Sequence, residues 1–134
     1  MSPILRHFEL DVYRMAYDGA LLIFDISELF PADESATLTE RIRVSSRGVY
    51  SGIAEAWGHR LYEAAFASSL IGSEAMAAET QAWLRFAAKR GYIKRSRARH
   101  LLALYDRIVD ELIEMISAPI PGYCHGAISL PSLH

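Results

Sequence analysis

Residues Leu38 to Gly58, LTERIRVSSRGVYSGIAEAWG, set serine, glycine and alanine throughout a segment whose apolar residues recur at helical spacing. Gly48 and Gly52 stand about one turn apart in it. Each glycine in a helix interior costs roughly 1 kcal/mol relative to alanine, so the pair is tolerable only where a close neighbour offsets it. The segment that follows has the same character. Ala64, Ala65, Ala67, Ser68, Ser69, Gly72, Ala75, Ala77, Ala78 and Ala82 alternate there with Phe66, Leu70, Met76, Trp83 and Phe86. The small residues let backbones approach and the large ones fill the wider layers, which predicts that the two helices cross near the glycines.

Two more helical segments flank this pair. From Glu9 to Phe30, apolar residues form two overlapping stripes, one with Tyr13, Tyr17 and Phe24 and one with Val12, Ala16, Ile23 and Ile26, until Pro31 stops the pattern. Thr37 and Glu40 are spaced as a capping box for the second helix, which ends near Gly58. The third runs from about Arg60 to Lys89 and stops at Gly91, a residue able to adopt the left-handed closing conformation. Ser96 is expected to cap the fourth, which carries Leu101, Leu104, Tyr105, Ile108, Leu112 and Met115 on one face and ends before Pro119. No segment has strand alternation, and short turns make antiparallel neighbours. The expected fold is therefore all-α, an antiparallel up-down-up-down four-helix bundle over residues 1–118 with a Pro-rich, extended or mobile C-terminal tail over 119–134.

With 134 residues and 51% apolar composition the chain can bury one sizeable core, and no junction reads as an interdomain linker. Its apolar runs fall far short of the roughly 20 residues that cross a bilayer, and no signal-like segment opens the chain, so no membrane association and a cytoplasmic location are expected. Cys124 is the sole cysteine, which excludes an internal disulfide and a cysteine-only zinc site. Helices one and four both carry apolar faces that look wider than one core requires, so subunit contact is expected to cover the surplus.

The second helix resembles that of the four-helix-bundle proteins encoded in intervening sequences of bacterial 23S rRNA genes, which runs approximately L-T-x-Q-I-R-x-A-x-x-S-I-x-x-N-I-A-E-G. Leu38, Thr39, Ile42, Arg43, Ser51, Ile53, Ala54 and Glu55 keep the pattern. Arg41 replaces its Gln, Gly48 its first Ser, Gly52 its Asn and Ala56 its final Gly, so any role tied to that Asn is absent here. The likeness extends from about Phe8 to Ile116 through FELDVYRMA, Phe30-Pro31 with Glu34, Glu79 with Gln81, and Gly91-Tyr92-Ile93. It implies a four-helix bundle assembled as a homopentameric ring. A related branch comprises retroelement accessory proteins that bind nucleic acid and partner a reverse transcriptase, so RNA or DNA and a nucleic-acid-handling protein are the partners the resemblance implies.

Charge points independently at the same kind of partner. Between Thr80 and Tyr105 lie Arg85, Lys89, Arg90, Lys94, Arg95, Arg97 and Arg99 with no Asp or Glu, in a chain whose formal net charge is −2. The candidate nucleic-acid-binding set is Lys89, Arg90, Tyr92, Lys94, Arg95, Arg97, Arg99 and His100, the cations neutralising phosphates and the rings stacking on an exposed base. The competing reading makes these charges a solvated bundle end, with Lys89 and Arg90 complementing the carboxyl end of helix three. A protein-binding scaffold without nucleic-acid binding fits that reading.

Catalytic and metal chemistry find less to work with. Di-iron bundles need Glu-x-x-His on two helices, and this chain has none; Glu55 and His59 form one pair, four apart, that reads as a surface contact. Cys124-His125 would need further ligands from elsewhere. Arg95 and His100 match the Arg-x4–6-His spacing of HEPN-class ribonucleases, in which His serves as general base and Arg stabilises phosphate charge. Among clustered arginines that spacing arises easily, so no catalytic residue, metal or cofactor is assigned. Arg41, Arg43 and Arg47 are expected to find intersubunit or intrahelical partners, Glu55 and Glu79 to be paired, and Trp57 and Trp83 to pack in the bundle or between subunits.

Overall fold

The helical periodicity is realised in a computed structural model, which describes residues 3–118, as α1 (Asp11–Ser27), α2 (Glu40–Gly58), α3 (Glu63–Lys89) and α4 (Arg95–Ser117). Consecutive helices pack together and α4 returns to α1, so α1 and α3 occupy diagonal corners of an antiparallel up-down-up-down bundle. No strand occurs among the described residues. The tail expected over 119–134 lies outside them.

The α2–α3 seam is as close as the glycines require. A Cβ on Gly48 would sit 2.9 Å from Met76 Sδ, and one on Gly52 would sit 3.1 Å from Ser73 Cβ. Ser45, Ser73 and Thr80 are buried in the same seam and fully satisfied: Ser73 Oγ donates to the Val49 carbonyl, and the Thr80 and Ser45 hydroxyls meet at 2.8 Å. Around them Ile42, Val49, Ile53, Leu70, Leu84, Ile108 and Leu112 are wholly buried. The two glycines differ in what an added methyl would displace. Met76 is flexible, so Gly48→Ala is expected to be neutral or to gain up to about 1 kcal/mol of helix propensity. Ser73 is held by its hydrogen bond, so Gly52→Ala is expected to fall about 1 kcal/mol below Gly48→Ala in urea unfolding.

The carboxyl ends of α2, α3 and α4 fall where the sequence places them, at Gly58, at Lys89 and before Pro119, whereas three helix starts depart from it. Gly91 has φ 77°, the Tyr92 N–H donates to the Ala87 carbonyl at 2.9 Å and the Gly91 N–H to the Ala88 carbonyl at 3.0 Å, a complete Schellman closure. Ser96 does not cap α4: it lies within the first turn, Lys94 is the cap residue, and no side chain caps the exposed N–H groups. Thr37 and Glu40 form no capping box either. Thr37 Oγ1 donates to Glu34 Oε1 at 2.6 Å, because a widened helical turn over Ser35–Thr39 leads directly into α2. The third helix begins at Glu63 and not Arg60, since backbone turns after Trp57 carry the chain through His59 to Tyr62.

The expected surplus of apolar surface is present on α1 but not on α4. Tyr17, Leu21 and Phe24 of α1 remain 42%, 51% and 37% exposed, whereas α4 leaves only Ile113 comparably open, at 48%. Leu102, Val109 and Ile116 of α4 pack against the core instead. An unforeseen open apolar face lies on α3, where Ile71, Ala75, Ala78 and Ala82 all face solvent.

Candidate nucleic-acid interface

The Gly91 closure turns the chain sharply between α3 and α4, so that Lys89 and Arg90 end one helix a few residues before Lys94 and Arg95 begin the next. Lys89, Arg90, Lys94, Arg95, Arg97, Arg99 and His100 are all exposed. Ala98 and Leu101 point into the bundle and hold the first turns of α4 in place, which spreads the surrounding arginines over its outer side. Among the described residues no carboxylate comes within 4 Å of any of these cations; the one ion pair is Arg14–Asp11, at 3.9 Å near the opposite end.

The sites within this set are not equivalent. Tyr92 is half-buried, with its hydroxyl donating to Glu34 Oε2 at 3.1 Å and its ring 5.9 Å from that of Phe30, so it pins the α1–α2 connection to the α3–α4 turn. It is therefore engaged within the bundle and not presented for stacking on a base as expected. Bonds from Thr37 and Tyr92 hold the Glu34 carboxyl below the usual carboxylate range. Arg90 lies over the Tyr92 ring and feels Glu34 and Asp33, which support its charge and partly neutralise it. Lys94, Arg95, Arg97 and Arg99 have no such neighbours. They also surround the amino end of α4, where the helix dipole is positive and no acid stands in the first turn. A bound anion would relieve both the crowded positive charge and the uncapped N–H groups.

The antiparallel topology adds cations that are distant in sequence. Because α2 starts at the same bundle end at which α4 starts, Arg41, Arg43 and Arg47 join the α3–α4 corner in one half of the molecule. Of all the lysines and arginines, only Arg6, Arg14, Arg60 and Arg107 lie towards the other half, with Glu9, Asp11, Glu55, Glu63, Asp110, Glu111 and Glu114. The cationic half also carries Asp25, Glu28, Asp33, Glu34 and Glu40, but its lysines and arginines outnumber its carboxylates, so the bundle is an axial dipole with a cationic end. Arg43 finds intramolecular partners: Nε donates to Ser27 Oγ at 2.8 Å, and its guanidinium lies 4.2 Å from the Phe24 ring centroid. Arg47 is exposed with its guanidinium 5.9 Å from the same ring, and Arg41 is exposed.

The remaining candidates do not converge. Arg95 and His100 are both exposed on one continuous helix, where five residues set them about 140° apart, so they do not face a common substrate position. Glu55 and His59 are exposed, and no group of three His, Cys, Asp or Glu side chains gathers among the described residues. Glu79 accepts a 3.0 Å bond from Trp83 Nε1, and Trp57 is buried with its Nε1 donating to the Leu5 carbonyl. A shallow groove of about 440 Å³ follows the α2–α3 seam, lined by Gly48, Gly52, Gly72 and Met76 with Ser51, Ser68, Ser69, Ser73 and Glu55.

Fold and surface define a small antiparallel helical bundle with a cationic end. The family model for the 23S rRNA-intervening sequence protein matches residues 8–114, and the chain belongs to that family. It is similar to a solved protein of unknown function from the S23 ribosomal protein family of Bacteroides thetaiotaomicron, with a TM-score of 0.73 and 21% identity over 80% of this chain and 96% of that one. At that identity the likeness concerns the fold. No curated protein matches the chain. No helix among the described residues is long and apolar enough to cross a membrane.

Proposed function

We propose that this chain is a non-enzymatic, self-associating cytoplasmic protein that captures RNA or DNA electrostatically at the α3–α4 end of the bundle. The observation that carries this reading is the group Lys94, Arg95, Arg97 and Arg99, exposed, free of nearby carboxylates and gathered at the positive end of a helix. Lys89 and His100 extend the group, and Arg90 and Tyr92 form its base. Phosphates supply negative charge to a bundle end where cations outnumber carboxylates, and contact with them releases counterions. Assembly would repeat the patch and convert weak single contacts into avidity. A ring of five is the assembly that the family resemblance implies, and a nucleic-acid-handling protein such as a reverse transcriptase is the corresponding protein partner.

The test is binding of labelled single-stranded RNA and DNA at low salt by the full chain and by a variant with Lys94, Arg95, Arg97 and Arg99 all changed to Ala. Removing up to four phosphate contacts is expected to weaken binding roughly a hundredfold. A full chain that binds neither polymer, or a variant that binds as well as the parent, contradicts the reading and leaves a protein-binding scaffold. RNA cleavage that disappears in His100→Ala would instead establish the ribonuclease alternative.

A further inference from the structure

We propose that the exposed stripe Tyr17, Leu21 and Phe24 on α1 of one copy docks on the exposed face Ala75, Ala78 and Ala82 of α3 in a second copy, as a head-to-tail contact. The inference deepens the self-associating part of the proposed function by naming the two surfaces that meet.

Both stripes keep helical spacing, i, i+4, i+7 on α1 and i, i+3, i+7 on α3, and they are opposites in shape. Large, partly exposed side chains stand on α1, and α3 presents methyl groups between which such side chains can seat. On α3 the fully open residues from Ala64 to Ala82 are uncharged, with the partly exposed Glu74 and Glu79 flanking them, a surface unsuitable for a phosphate backbone.

The axial positions agree as well. Tyr17 meets Tyr50 edge to face and Phe24 lies beneath Arg43, which fixes α1 against α2. Gly48 abuts Met76, and Ser45 bonds to Thr80, which fixes α2 against α3. Carried through α2, Tyr17 stands at the height of Ala75, Leu21 at that of Ala78 and Phe24 at that of Ala82. Parallel copies related by rotation about an axis along the bundle bring residues of equal height together, so the two stripes meet in register. The flanking charges are complementary at the same end. Asp25 and Glu28 follow Phe24 on α1, and Arg85 follows Ala82 on α3 with Arg41 beside it on α2, all exposed and without an ion partner among the described residues. Because α1 and α3 occupy diagonal corners, each copy offers one surface of each kind on opposite sides, the arrangement that closes into a ring.

The test uses Leu21→Arg and Ala78→Arg in the full chain, each at a solvent-facing position, with Ala75→Arg as a second block of the α3 face and thermal melting to confirm folding. Each variant alone is expected to be monomeric in sedimentation, while an equimolar mixture of Leu21→Arg and Ala78→Arg forms a 1:1 pair and stops there. In that pair the intact α1 stripe of one variant meets the intact α3 face of the other. Variants that assemble as the parent does would overturn these surfaces while leaving self-association in place, and a mixture that stays monomeric would overturn the head-to-tail arrangement. A parent chain that is monomeric when concentrated would overturn self-association itself and assign the faces to another partner.

Discussion

Changing Gly19 to Ala is expected to destabilise the bundle by roughly 1–2 kcal/mol, although alanine is the better helix former by about 1 kcal/mol. The added Cβ would stand 2.9 Å from Tyr105 Oη and 3.1 Å from two carbons of its ring. Tyr105 is wholly buried. Its hydroxyl is buried without a hydrogen-bond partner among the described residues, and burial raises its pKa above the ordinary tyrosine value. A buried unpaired hydroxyl costs about 1–3 kcal/mol, so Tyr105→Phe is expected to stabilise the protein by about 1 kcal/mol. It removes the nearest colliding atom too. In a double-mutant cycle read by chemical denaturation, Gly19→Ala should therefore cost less in the Tyr105→Phe background. Additivity of the two changes would mean that the hydroxyl is not what Gly19 accommodates.

A larger effect is expected at the α2–α3 seam, where Ser73→Leu should cost about 3 kcal/mol or more. Ser73 faces Gly52 so closely that even a methyl group on the glycine would need its neighbour to yield. A leucine there would press on the Gly52 backbone, and the shallow groove beside Ser73 is its only relief. It also removes the donor to the Val49 carbonyl. Ser73→Ala keeps the small volume and loses only that bond, so about 1 kcal/mol is expected for it. The contrast between the two variants in melting experiments separates close approach from hydrogen bonding as the source of stability in the seam. Equal losses would show that the bond alone matters.

The helices themselves were legible in the sequence because their apolar residues keep a helical period, and the α2–α3 crossing because glycines in a helix interior demand a reason. Gly19 carried the same kind of signal. It lies on an apolar stripe of α1, but without knowledge of which α4 residue stood opposite, nothing distinguished it from the alanines around it. The apolar breadth of α4 misled because Leu102, Val109 and Ile116 are counted by periodicity as surface when the neighbouring helices half-cover them. Conversely, the open alanines of α3 look like interior residues until the bundle shows which way they face. Capping was misjudged at Ser96 and Thr37 for a local reason: the residue type suits a cap, but the backbone enters the helix one or more residues earlier.

The cationic end was only partly readable. Lysines and arginines between Thr80 and Tyr105 are adjacent in sequence, so their clustering needed no structure. Their union with Arg41, Arg43 and Arg47 depends on antiparallel topology, which brings the start of α2 to the start of α4. Tyr92 passed for a free aromatic ring because its partners, Glu34 and Phe30, lie some sixty residues away in sequence.

The salt dependence of nucleic-acid binding tests the central claim most directly. For the full chain, the logarithm of the association constant should fall linearly with the logarithm of salt concentration, and the slope should become shallower by up to about 3 units when Lys94, Arg95, Arg97 and Arg99 are removed. Absence of binding at low salt, or a slope that the four substitutions leave unchanged, would contradict electrostatic capture at this end of the bundle.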